Sequence, residues 1–199
     1  MQTEIVFSGF GGQGVLFAGQ ILAFAAMDAG REVTWMPSYG PEMRGGTANC
    51  TVIIADEEIG SPLVRNPQAA VVMNLPSLDK YEPVLADGGV IIVNASLVNR
   101  EVTRTDIVSV SVSANEIAED LGNKRLANMV LLGALLEKLP VLPVSAVNDA
   151  LKTHLPDRHR KFLNANLEAL RLGAAFARGE IEVDTSNVRK VAIDAPTSV

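Results

Sequence analysis

Apolar residues arrive along this chain in short bursts separated by glycine, proline and charged turns. The runs at 4–8, 47–55, 69–74, 89–94 and 107–112, with a shorter one at 33–36, have the length and β-branched content of strands. Between them, helical spacing predicts helices near 14–29 and 77–85, then near 113–121, 125–138, 144–153 and 158–178. Strands alternating with helices predict an α/β three-layer sandwich with a mostly parallel, Rossmann-like sheet. The later half turns helical, which reads as extra C-terminal helices on one domain spanning 1–180. The stretch 181–199 is polar, carries a proline and reads as a loosely attached tail.

Three local patterns sharpen this outline. From Val15 to Met27 the only polar side chain is Gln20, and the apolar residues circle the whole helix. Such a helix is buried on every side, beneath its own neighbours or partly against another chain. In Ala48-Asn49-Cys50-Thr51-Val52-Ile53-Ile54, the alternation puts Cys50 on a strand's buried face with Ala48, Val52 and Ile54, as a core thiol rather than a reactive one. In the long pattern from Arg160 to Arg178, Leu163, Leu167, Leu170 and Ala174 share one stripe, and Gly179 supplies a C-cap. His154 and His159 flank Pro156 in what reads as a polar turn, where exposed loop residues are the expectation and a metal site is not.

Composition narrows the function classes. At 199 residues and 48% hydrophobic, the chain can bury one good core. A net charge of −6 argues against nucleic acid as a main partner, because that binding relies on clustered Lys and Arg. No long uninterrupted apolar run and no charged leader with a cleavage site are seen, so the expectation is a cytoplasmic protein with no membrane segment. A single cysteine cannot hold an iron–sulfur cluster or build an internal disulfide by itself.

The chemistry concentrates in two loops. Residues 4–14, EIVFSGFGGQG, run from a strand into a glycine turn just before a helix, with Gly9, Gly11 and Gly14 at G-x-G-x-x-G spacing and Gly12 added. Backbone N–H groups at a helix start suit phosphate or pyrophosphate, so Gly9, Gly11, Gly12, Gln13 and Gly14 are candidate binding residues. A dinucleotide site expects an acid at the end of the second strand, but Val33-Thr34-Trp35-Met36 runs into Pro37, and Glu32 stands at the wrong end. No lysine follows the glycines, which excludes a P-loop. The second stretch, Pro37 to Thr47, reads as a long irregular loop holding Ser38, Tyr39, Glu42 and Arg44. In a parallel sheet it should lie beside the glycine loop, and Arg44 could clasp a phosphate or carboxylate, or else pair with Glu42 or the acids at 56–58. Ile59-Gly60-Ser61-Pro62 reads as a turn, and no catalytic set of acid, base and nucleophile is evident.

With both loops in view, the chain resembles the gamma subunit of 2-oxoacid:ferredoxin oxidoreductases. GFGGQGV at 9–15 with Ala18-Gly19, VTWMPSYGPEMRGGTANC at 33–50, IGSP at 59–62, AAVVMN at 69–74 and GGVIIVN at 88–94 carry the likeness, which covers residues 3 to about 178. The second loop looks most like subunits acting on 2-oxoglutarate or branched-chain 2-oxoacids. The resemblance implies oxidative decarboxylation of a 2-oxoacid to its acyl-coenzyme A, with electrons passing through iron–sulfur clusters to ferredoxin. It implies thiamine diphosphate, magnesium and the clusters in alpha, beta and ferredoxin-like delta partners, so this chain is not catalytic alone. Its share is then assembly and coenzyme A binding, through the glycine loop with Ser38, Tyr39 and Arg44. A ligand-free structural adaptor and a stand-alone dinucleotide-dependent oxidoreductase are the competing readings.

Overall fold

A computed structural model of the chain describes residues 1–40 and 46–183. Six strands form one sheet in the order β2-β3-β1-β4-β5-β6. They are β1 (Gln2–Phe10), β2 (Glu32–Tyr39), β3 (Thr47–Ala55), β4 (Ala69–Val72), β5 (Val90–Asn94) and β6 (Val108–Val112). β3 pairs antiparallel with both β1 and β2, while β1, β4, β5 and β6 pair in parallel succession. β3 alone therefore opposes the common strand direction, and the sheet is mixed but mostly parallel.

The helices are α1 (Val15–Asp28), α2 (Leu75–Tyr81), α3 (Ala114–Asp120), α4 (Ala127–Lys138), α5 (Val144–His154) and α6 (Leu163–Arg178). The two sheet faces are covered unequally. Phe7, Cys50, Val52, Val71 and Ile92 point into a large core shared with α1, α3, α4, α5 and α6. On the opposite face Val6, Ala70, Val72, Ile91 and Val93 pack against Leu78, Tyr81, Leu85 and Val98, so α2 and the chain after β5 form the third layer. The central strands read as unbroken apolar runs because both of their faces are buried.

The apolar helix α1 packs on β1, β2 and β3 and beside α4 and α5, but it is not buried on every side: Leu16, Phe17 and Phe24 are half-buried and Met27 is exposed. Gly19 lies so close to the Cys50 Sγ that a Cβ there would collide with it. The helical subregion uses the same device twice. A Cβ on Gly133 would fall on the Leu170 carbonyl, and one on Gly173 on the Val130 carbonyl, so these glycines let the α4 and α6 backbones touch. α6 ends where expected, with Gly179 at φ 77°.

Several boundaries differ from the pattern-based reading, each for a local reason. β2 continues to Tyr39, so Pro37, Ser38 and Tyr39 are strand rather than loop; they pair with Cys50, Asn49 and Ala48 of β3. Proline is tolerated there because β2 is an edge strand. The predicted helix at 77–85 begins earlier, capped by Asn74 Oδ1 on the Ser77 N–H (2.9 Å), and gives way to a 3-10 turn at Glu82–Val84, which contains Pro83. Residues 157–162 form a 3-10 turn ahead of α6. His154 belongs to no polar turn. It closes α5, stacks on Phe24 with ring centroids 4.3 Å apart, and places Nε2 2.8 Å from an Asp28 carboxylate oxygen. His159 is exposed, as expected. Of the expected tail, 184–199 lie outside the described residues.

The thinner layer is pinned by one buried acid. Glu82 is only 3% exposed and accepts hydrogen bonds from Arg100 Nη1 (2.7 Å), Thr103 Oγ1 (2.8 Å) and the backbone N–H groups of Thr103 and Arg104. Burial by itself would raise this carboxyl, but the donors outweigh it and hold it down at about 2, from an ordinary value of 4.5. The folded state thus binds fewer protons than the unfolded chain at this site. Its contribution is full above about 4.5 and declines as pH falls toward about 2. Urea unfolding of wild type should weaken across that window, and Glu82→Gln should flatten the dependence while costing roughly 3 kcal/mol at neutral pH.

Candidate functional site at the carboxyl edge of the sheet

α1, which follows β1, packs on one face of the sheet, and α2, which follows β4, packs on the other. The carboxyl ends of β1 and β4 thus form a switch point, where α/β folds open a crevice. The glycine turn occupies it. Gly9 is still in β1, opposite Ala48, and has no room for a side chain: a Cβ would strike Gln13 Oε1 and lie 2.9 Å from Met73 Cβ. Gly12 (φ 99°) and Gly14 (φ 76°) take left-handed conformations that other residues resist. Gly14 is the N-cap of α1, which directs the first helical N–H groups, without intrahelical partners, toward the crevice.

The turn is held from three sides. Gln13 folds inward: its Oε1 accepts from the Phe10 N–H at 2.6 Å, and its Nε2 donates to the Met73 carbonyl at 3.3 Å. Asn128 of α4, only 4% exposed, donates from Nδ2 to the Gly14 carbonyl at 3.0 Å. Its amide also occupies the space a Gly14 Cβ would need. The Gly11 N–H donates to the Gly46 carbonyl at 2.8 Å, tying the turn to the end of the second loop.

Of the other sequence candidates, Tyr39 stands at the turn and Ser38 does not. Tyr39, 60% exposed, lines a 380 Å³ cleft with Phe10, Gly11, Gly12, Leu16 and Phe17. Strand alternation puts the Ser38 hydroxyl on the opposite sheet face, level with Asn49. Arg44 and Glu42 lie outside the described residues. A second cleft of 660 Å³ opens from Gly12 and Gly14 toward Phe17, Arg125, Leu155, His159 and Phe162. A third, of 190 Å³, runs from Gly12 and Gln13 to Met73, Asn94, Asn115, Lys124 and Arg125. Gly12 lines all three.

Lys124, Arg125 and Asn128 escaped the sequence reading. A usable signal was present: adjacent cations before a helix start sit against the helix dipole, and so ask for a reason beyond the helix itself. Cys50 behaves as its alternation implied. It is fully buried, with Sγ 3.7 Å from the Val15 carbonyl, and burial pushes the thiol up to about 12. Among the described residues no group of three or more His, Cys, Asp or Glu side chains is placed to hold a metal ion.

Residues 4–176 match the family described as pyruvate ferredoxin/flavodoxin oxidoreductase, and the chain belongs to that family. The ketoisovalerate oxidoreductase subunit VorA of Methanothermobacter thermautotrophicus is 39% identical over 182 residues, covering 91% of this chain. The chain spans only 38% of that relative's length. The 2-oxoglutarate synthase subunit KorC of Methanothermobacter marburgensis is 38% identical over 163 residues, covering 78% of this chain and 88% of KorC. Among solved structures, the keto/oxoacid ferredoxin oxidoreductase gamma subunit of Geobacter sulfurreducens superposes with a TM-score of 0.76 at 32% identity, covering 89% of this chain and 99% of that one. The fold also recurs, at 22% identity and a TM-score of 0.80, in 2-oxoglutarate:ferredoxin oxidoreductase from Magnetococcus marinus, solved with 2-oxoglutarate, coenzyme A and succinyl-CoA bound. That match covers 92% of this chain and 32% of the larger one.

Two outcomes follow from this geometry. Gly14→Ala should cost roughly 2 kcal/mol or more in chemical denaturation, because it combines a left-handed backbone with a collision against Asn128. Cys50 should resist a thiol-specific reagent in the native protein and react fully only in denaturant, as mass spectrometry would show.

Proposed function

We propose that this chain is the gamma subunit of a thiamine-diphosphate-dependent 2-oxoacid:ferredoxin oxidoreductase, contributing assembly and coenzyme A binding. The whole complex converts a 2-oxoacid and coenzyme A into acyl-coenzyme A and CO2, passing two electrons to ferredoxin. Thiamine diphosphate, magnesium and the iron–sulfur clusters belong to the alpha, beta and delta partners in this reading. The buried Cys50 offers no thiolate to a cluster. Relatives of both the ketoisovalerate and the 2-oxoglutarate type leave two oxoacid classes, and partner residues around the thiamine would choose between them. A cytoplasmic location fits a soluble electron acceptor.

One observation carries the coenzyme A part. Helix N–H groups, left-handed glycines and three clefts converge on Gly12 at the sheet's carboxyl edge, the arrangement that holds a pyrophosphate. Gln13 acts here as a brace for the turn, since both ends of its amide are engaged within it. Arg44 would add a bidentate contact from the second loop.

Isothermal titration of the chain and of the reconstituted complex with coenzyme A tests this. Gly12→Val and Arg44→Ala should each weaken binding by about tenfold or more. Unchanged affinity in both would overturn the ligand role. Loss of co-purifying subunits with affinity intact would assign the two loops to docking instead.

A further inference from the structure

Charge is divided unevenly along this chain. Residues 121–167 hold seven Lys or Arg against three Asp or Glu, while the rest of the chain holds ten against twenty. Four of the seven fall between Lys152 and Lys161, around the 3-10 turn Asp157–Phe162 that leads into α6. Every residue from Pro156 to Phe162 is exposed. Lys152 pairs with Asp149 at 2.8 Å and Arg160 with Asp157 at 2.9 Å, and both pairs are open to solvent. Such pairs are worth little and are readily exchanged for another anion. Arg158 and Lys161 have no ion-pair partner among the described residues. The Arg158 Nε donates to the His159 ring at 3.1 Å, and the Lys161 ammonium sits 5.0 Å from the centre of the Phe162 ring.

The helix does not ask for these cations. They precede the positive N-terminal end of α6, whose first turn holds no acid to offset them. The glycine turn does not ask for them either: His159 and Phe162 wall the larger cleft, but Arg158, Arg160 and Lys161 line none of the three that meet at Gly12. A fully exposed turn gives a small anion no opposite wall, so its charges are best matched by a broad acidic surface laid over it. An extended nucleic acid or an anionic bilayer would also meet the acidic remainder of the chain and be repelled by it. Phe162, 37% exposed, adds an apolar contact beside the cations. Arg next to an aromatic ring is the composition enriched in the core of protein interfaces.

We propose that the turn 157–162 is a docking site for an acidic protein face on another subunit of the complex, with Arg158 and Lys161 as its charge contacts and Phe162 as its apolar one. The proposal rests on reading the chain as one subunit of an oxidoreductase, and is independent of any ligand at Gly12. The test measures binding of the full chain to immobilised poly-L-glutamate, and its rate of association with the alpha, beta and delta subunits, each at low and at physiological salt. The double variant Arg158→Gln with Lys161→Gln should weaken poly-L-glutamate binding and slow association by about tenfold, and lose most of the salt dependence of both. Arg65→Gln, at an exposed cation outside this stretch, should change neither. All three positions are exposed, so both variants should keep the wild-type melting temperature. Poly-L-glutamate binding equal in wild type and double variant overturns the docking site, as does an equal loss in Arg65→Gln. Tighter binding to duplex DNA or to phosphatidylserine vesicles than to poly-L-glutamate overturns an acidic protein as the occupant. Unchanged association in a complex that still assembles overturns the site as well. A wild-type chain that binds poly-L-glutamate through Arg158 and Lys161 but joins no subunit keeps the site for an acidic face and removes the subunit reading.

Discussion

The carboxamide of Gln13 is the contact on which the site depends. One side chain closes the turn on itself through Phe10 and reaches across the switch point to the Met73 carbonyl at the end of β4. Where two parallel strands diverge, their last backbone groups lose sheet partners, and such groups must be satisfied when buried. Gln13 serves both strands, and Gly9 leaves the room it needs. The α1 N-terminus is thereby fixed relative to the sheet. Asn128 adds a second anchor, from α4, so the late helical subregion holds the glycine turn as well as filling the core.

Much of the architecture was legible because it follows from burial alone. Central strands buried on both faces must be continuously apolar, and Cys50 could be placed by alternation because β3 pairs across its whole length with β1. What pattern reading missed depended on tertiary partners. The extension of β2 to Tyr39 is invisible locally, since Pro-Ser-Tyr-Gly has turn composition and only pairing with β3 makes it strand. His154 has the same character: beside Pro156 it looks like a turn residue, until Phe24 and Asp28 of α1 give it a stacking surface and a hydrogen bond.

The site divides along the same line. Glycines advertise a backbone requirement in the sequence, so the turn itself was readable, and the structure puts that requirement at Gly12 and Gly14, both left-handed. Asn128 is an ordinary residue made special by where the helical subregion docks, more than a hundred residues beyond the turn it braces, and Arg125 lines the cleft beside it. Ser38, named as the hydroxyl of the second loop, faces the other side of β2 from Tyr39, because adjacent residues of a strand point to opposite faces.

The reversed strand β3 explains why two separate motifs form one surface. Had β3 run parallel to β1, its start would lie at the amino edge and the segment before it at the far side of the sheet. Because it runs antiparallel, Thr47 pairs with Phe10, so the end of β2 and the start of β3 stand beside the glycine turn. The Gly11 N–H donates to the Gly46 carbonyl, and the Gly40 N–H donates to the Thr47 carbonyl just past the end of β2. A single edge pair of strands, β2 and β3, thus reaches the carboxyl edge of a Rossmann-like sheet beside the glycine turn. The glycine turn is flanked by the hairpin on one side and the Arg125 turn on the other, and a ligand seated at Gly12 would meet side chains from both.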